Sequence, residues 1–159
     1  FDIILIDTGA GLSENVLKFA MASEEIIVVT TPEPTSITDA YALIKLIVNK
    51  DKEKTIRIIV NGVRSIKEGN DVLNKFMMVS ERFLYKKLDP LGIILYDEAV
   101  VKAVKLQQAF ILSFPNSQAS KFVRKIAYEL VGEENSNLEN IERGIKGFTK
   151  RLAGFISAY

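Results

Sequence analysis

Four short aliphatic runs constrain this chain more than any other feature: Ile-Ile-Leu-Ile at 3–6, Ile-Ile-Val-Val-Thr-Thr at 26–31, Ile-Arg-Ile-Ile-Val at 56–60 and Gly-Ile-Ile-Leu at 92–95. A strand with one wet face alternates apolar and polar residues. These runs are almost continuously apolar and rich in Ile and Val, as strands covered on both faces are. Stretches with helical spacing at 13–22, 35–49, 68–87 and 98–108 lie between or after them. The βα rhythm predicts an α/β fold, a doubly wound and mainly parallel sheet flanked by helices.

The strands stop after residue 110. Pro115-Asn116-Ser117 predicts a helix start with Asn116 or Ser117 as N-cap. The helix is expected over 118–131, burying Phe122, Ile126 and Leu130, with Gly132 at its end. Residues 133–137 are polar and read as a linker, and 138–159 read as a last helix. The expected organisation is therefore one domain over 1–132, a linker over 133–137 and an amphipathic helix over 138–159.

The chain has no cysteine and no histidine, which removes disulfides, Cys/His zinc sites and Ser-His-Asp triads. Its 21 basic and 20 acidic residues leave a net charge of +1, so no global basic footprint for nucleic acid is present. The apolar runs fall far short of the ~20 residues a spanning helix needs. No basic n-region of a signal peptide precedes Phe1-Asp2-Ile3. A cytoplasmic protein is the resulting expectation.

Residues 1–11, Phe-Asp-Ile-Ile-Leu-Ile-Asp-Thr-Gly-Ala-Gly, read as a buried strand ending in Asp7 and then a loop of small residues. Open α/β sheets bind ligands beyond the carboxyl ends of their strands. A carboxylate there can hold Mg²⁺ through water while the ion bridges nucleotide phosphates. Gly9 and Gly11 let backbone amides approach a phosphate. An apolar run ending in Asp and Gly is also common at ordinary strand-to-turn junctions. The phosphate cradle G-x-x-x-x-G-K-[ST] is missing, because the chain has no Gly-Lys pair.

The phrases Asp-Thr-Gly-Ala-Gly-Leu-Ser (7–13) and Thr-Thr-Pro-Glu-Pro-Thr-Ser (30–36), with Thr38-Asp39-Ala40-Tyr41, resemble the MinD/ParA group of deviant Walker A P-loop ATPases. Within that group they resemble the FlhG (YlxH or FleN) branch of flagellar number and placement regulators. The likeness continues through Val60-Asn61-Gly62-Val63, residues 91–100 and residues 114–120. The resemblance implies an ATP- and Mg²⁺-binding ATPase that dimerises with ATP. It implies Asp7 as the Mg²⁺ contact through water, and Thr8, Gly9, Ala10 and Gly11 as the loop that senses the γ-phosphate. Asn61 would sit at the adenine, Asp97 in the adenine-side loop and Glu33 at the dimer interface. Gly62 stands where the family usually has Arg, and Leu95 where it usually has Pro.

In 138–159, Leu138, Ile141, Ile145, Phe148, Leu152, Phe155, Ile156 and Tyr159 recur at spacings of three and four. Arg143, Lys146, Lys150 and Arg151 are expected on the opposite face. Such a helix either packs on its own domain or lies in an anionic membrane interface. The resemblance favours the second, as a membrane-targeting helix that visits the inner membrane reversibly. It also implies an FlhF-type GTPase and flagellar basal-body proteins as partners, with no specific DNA binding. Two alternatives stand beside it, a ParA-type DNA partition ATPase and a non-catalytic interaction module. Since only Phe1 and the first strand residues precede Asp7, the chain is expected to be the carboxyl-terminal part of a longer ATPase, inactive alone.

Overall fold

The computed structural model describes residues 3–134 and 144–156. Three parallel strands form one sheet in the order β1 (Glu25–Thr30), β2 (Thr55–Val63), β3 (Asp89–Leu95). The pairs run from Glu25 opposite Thr55 to Thr30 opposite Val60, and from Arg57 opposite Asp89 to Val63 opposite Leu95. The helices are α1 (Glu14–Ala22), α2 (Pro34–Lys50), α3 (Ile66–Leu84), α4 (Glu98–Lys105), the short α5 (Phe110–Ser113), α6 (Gln118–Glu134) and α7 (Gly144–Ile156). This is the α/β architecture expected, a parallel sheet flanked by helices.

Local chemistry sets the element ends. Ser13 caps α1 by accepting from the Val16 amide at 3.3 Å, and Ser65 caps α3 by accepting from Glu68 at 3.1 Å. Pro34 occupies the first turn of α2, where a missing N–H costs nothing. Of the two expected caps of α6, Ser117 serves, accepting from the Ser120 amide. α6 continues past Gly132 to Glu134, so neither the expected stop nor a linker beginning at 133 is realised. A glycine inside a helix lowers its propensity without ending it when the rest of the turn is held. α3 stops at Leu84 rather than 87, because Tyr85 turns left-handed with φ of 52°.

One face of the sheet carries the main core. Ile26, Val28, Ile56, Ile58, Val60 and Val63 alternate inward against α2 and α3, and Leu17 and Ala20 of α1 and Phe155 of α7 pack at its margin. The other face holds a smaller cluster of Ile59, Leu91 and Ile126, with Ile27, Ile94 and Leu130 beside it. α6 reaches this face at Gly92, where a Cβ would stand 2.8 Å from the Ile126 side chain.

The expected strand over 3–6 is absent. Residues 3–9 form no helix or strand, and Ile3, Ile4, Leu5 and Ile6 are all exposed, Leu5 to 78%. A strand exists only through a ladder partner. Among the described residues β1 pairs on one side alone, with β2. Apolar sequence encoded a strand here, and no neighbouring strand captures it. No helix among the described residues is long and apolar enough to cross a membrane.

Candidate functional site

Three loops leave the carboxyl ends of the parallel strands side by side, the place where open α/β sheets bind ligands. The first follows β1. Ser36 Oγ accepts from the Thr31 amide at 3.0 Å and lies 3.0 Å from Thr30 Oγ1, while Thr30 is buried. This closes the 31–36 loop and presents Glu33, which is exposed at the N-cap of α2 without capping it through its side chain. Ser36 does not cap α2, since its hydroxyl faces back to the strand end, and Thr38 Oγ1 donates to the Pro34 carbonyl at 2.9 Å.

The second loop is the end of β2. The register shifts between Asn61 and Val63, and Gly62 forms the bulge with φ of 75°. That conformation suits glycine and penalises an arginine. The departure from the expected Arg therefore has a backbone reason. Asn61 is exposed at the last ladder pair before the bulge, opposite Ile94.

The third loop follows β3. The Tyr96 amide donates to the Val63 carbonyl at 2.8 Å. Asp97 then joins two helices: Oδ1 accepts from the Ala99 amide at 2.9 Å and Oδ2 from the Ala119 amide at 3.0 Å. The Ala119 bond and then the Ala99 bond hold its carboxyl below the ordinary aspartate range. In the structure both oxygens of Asp97 serve the starts of α4 and α6. Sequence placed Asp97 in this loop, while its bond to α6 across 22 positions left no local signal.

Asp7, Thr8, Gly9 and Gly11 lie on the exposed segment before α1, with Gly11 at φ of 99°. By strand order Glu33, Asn61 and Asp97 stand at or just beyond the carboxyl ends of β1, β2 and β3, at one edge of the sheet. No three His, Cys, Asp or Glu side chains converge as a metal group among the described residues. One accessible carboxylate fits Mg²⁺, which keeps several waters and takes other ligands from phosphates. A phosphate cradle does not fit, for want of any Gly-Lys pair. An open cleft of about 380 Å³ between the 31–36 loop and α3, lined by Pro32, Ser65, Lys67, Asp71 and Lys75, contains none of the expected site residues.

α7 is docked on α1. Phe148 stacks on Phe19 with ring centroids 6.4 Å apart and planes 9° from parallel. Leu152 is half-buried and Phe155 meets the main core, while Ile145 and Ile156 stay exposed. Arg151 is not on the solvated face expected of it. Its Nε donates to the Ala22 carbonyl at 2.7 Å, and its guanidinium lies 3.8 Å from Glu24. Lys54 donates to the carbonyls of Met21 and Ser23 beside it. Two cations thus meet the carbonyl end of α1, where cations are favourable. Burial, and then the Arg151 charge, lower the Lys54 pKa. Lys150 is exposed, and Ile141, Arg143, the side chain of Lys146 and the start of the expected helix lie outside the described residues.

Parallel strands and helices on both faces define an open α/β protein. Comparison with curated proteins narrows this. The chain is 42% identical to the antiactivator FleN of Pseudomonas aeruginosa over 130 residues, 81% of this chain and 46% of FleN. It is 33% identical to the flagellum site-determining protein YlxH of Helicobacter pylori over 157 residues, 98% of this chain and 53% of YlxH. It is 29% identical to the septum site-determining protein MinD of Bacillus subtilis over 157 residues, 98% of this chain and 56% of MinD. The chain is homologous, over most of its length, to the MinD/FleN/YlxH family. It spans about half the length of these relatives. No family model matches it.

Proposed function

We propose that the gene product containing this chain is an ATP-dependent spatial regulator of flagellar number or placement, which dimerises with ATP and binds the membrane reversibly. The observation that carries this reading is the gathering of Glu33, Asn61 and the Asp97 loop at one carboxyl edge in a chain homologous to FleN and YlxH.

In this reading bound ATP and Mg²⁺ would supply the phosphate chemistry; Asp7 would be the residue that holds the ion, and the backbone amides of Thr8, Gly9 and Gly11 would serve the phosphates. Asn61 offers a donor and an acceptor to the adenine edge. Asp97 works from behind, fixing the loop beside the base. Glu33, held out by the Ser36-closed loop, faces the second subunit. Residues 1–159 alone lack the lysine-bearing cradle and do not turn over ATP.

α7 supplies the membrane contact. Its docked face carries Phe148, Leu152 and Phe155, the same residues that would enter a lipid interface. Docking on α1 and insertion in lipid are therefore alternatives. Two α7 helices on one dimer would bind an anionic surface together, with the gain that linkage gives.

Deleting the gene in its own organism and counting flagella tests the reading. Altered number or position is expected; wild-type flagellation overturns it.

A further inference from the structure

We infer that the turn from α3 into β3, with Phe83, Tyr85 and Lys87, is a second membrane contact, an aromatic and basic anchor that sets the amino edge of the sheet against anionic lipid headgroups. This rests on the membrane reading of α7 above and adds to it a contact on the folded domain itself.

The placement follows from the parallel sheet. The segments that enter β1, β2 and β3 all arrive at its amino edge. Lys86 Nζ donates to the Lys52 carbonyl at 2.6 Å and so ties the entry of β3 to the entry of β2. Lys54, at the start of β2, donates to the Met21 and Ser23 carbonyls at the end of α1. Arg151 of α7 donates to the Ala22 carbonyl between those two. The α3–β3 turn and α7 are therefore joined along one edge by a chain of hydrogen bonds.

The turn has open side chains on a fixed main chain. Tyr85 is 89% exposed and Phe83 61%. The Tyr85 and Lys86 amides both donate to the Ser80 carbonyl, and the buried Ser80 hydroxyl donates back to the Lys86 carbonyl at 2.8 Å. Over residues 81–87 three cations, Arg82, Lys86 and Lys87, stand against one acid, Glu81. The Arg82 guanidinium lies 5.4 Å from the Phe83 ring centre. On the neighbouring turn Lys50 and Lys52 are exposed, while the Asp51 carboxylate accepts from the Glu53 amide at 2.9 Å. Tyrosine and basic side chains together suit the headgroup layer, where a ring has one apolar and one wet side and a cation meets anionic lipid. A ring this exposed protrudes, and a fluid headgroup layer accepts it without a matching pocket. With the amino edge on the bilayer, the carboxyl edge that carries Glu33, Asn61 and Asp97 faces away from it.

The test uses the complete gene product with ATP and vesicles of phosphatidylglycerol mixed with phosphatidylcholine. Tyr85→Trp keeps a ring at the same position in a chain that has no other tryptophan over residues 1–159. Its emission, measured against the parent protein, is expected to move to the blue on vesicle binding and to be quenched by brominated lipid. Lys87→Gln is expected to weaken vesicle binding about fivefold, the loss of one cation near the surface. Lys121→Gln, an exposed cation on α6, leaves it unchanged. Unmoved Tyr85→Trp emission while the protein sediments with vesicles overturns the inference and leaves the α7 contact standing. Equal losses for Lys87→Gln and Lys121→Gln overturn it as well, and so does an emission shift caused by a single-stranded oligonucleotide and not by vesicles. A parent protein that binds no vesicles rejects the membrane reading of α7 and this inference together.

Discussion

Asp97 and Ala119 stand 22 positions apart and are joined by a 3.0 Å hydrogen bond from amide to carboxylate. The same side chain caps α4 through Ala99. One carboxylate thus ties the β3 exit, α4 and α6 into a unit. Asp97→Ala removes two caps at once and is expected to lower stability by about 1–2 kcal/mol, measured by urea unfolding. The bonds depress the carboxyl pKa, so the folded state holds the proton less tightly than the unfolded chain does. The contribution is complete above the ordinary aspartate pKa and fades as pH falls through the lower folded value. Asp97→Asn should flatten that acid limb of the stability curve, read from unfolding midpoints across the range.

The Phe19–Phe148 stack separates docking from lipid binding. Phe19 belongs to α1 and contributes nothing to the amphipathic face of α7. Phe19→Ala weakens the dock alone and is expected to raise co-sedimentation with anionic liposomes. Phe148→Glu damages both and is expected to lower it. A decrease for both variants would make the Phe19 contact irrelevant to membrane access.

Arg151 lies beside Lys54 and is the second cause, after burial, of its lowered pKa. Arg151→Ala removes a repulsive charge, so the Lys54 ammonium should titrate closer to its ordinary value. It also frees the Ala22 carbonyl and loosens α7. NMR titration of the lysine side chains reads the first effect, and amide exchange along α7 reads the second.

Restoring the usual family arginine by Gly62→Arg forces a residue with a Cβ into the left-handed region at φ of 75°. The expected cost is about 1–2 kcal/mol, with no gain in ATP affinity by titration. Gly92→Ala addresses the opposite kind of glycine, one needed for room. Its new methyl would lie 2.8 Å from the buried Ile126 side chain, for a loss of about 1–3 kcal/mol in the same unfolding assay.

The three strands that form and the helices between them were legible because apolar period and caps are local properties. Glu33 and Asn61 were legible only through resemblance, since an exposed acid and an exposed amide carry no periodic signal. The segment 3–6 had the right composition for a strand and did not become one. Strand formation is decided by a neighbour, and composition says nothing of which neighbour is at hand. Arg151 was assigned to solvent from its place on a helical wheel. Its guanidinium instead found the carbonyl end of α1, a partner 129 positions away.

The outer edge of β1 has a practical consequence. Among the described residues no further strand pairs with it, and Val29 on the same strand is 58% exposed. Unsatisfied amides next to bare aliphatic surface template strand addition between molecules. A preparation of residues 1–159 alone should therefore associate as its concentration rises, and light scattering would register self-adhesion before any nucleotide or lipid is added.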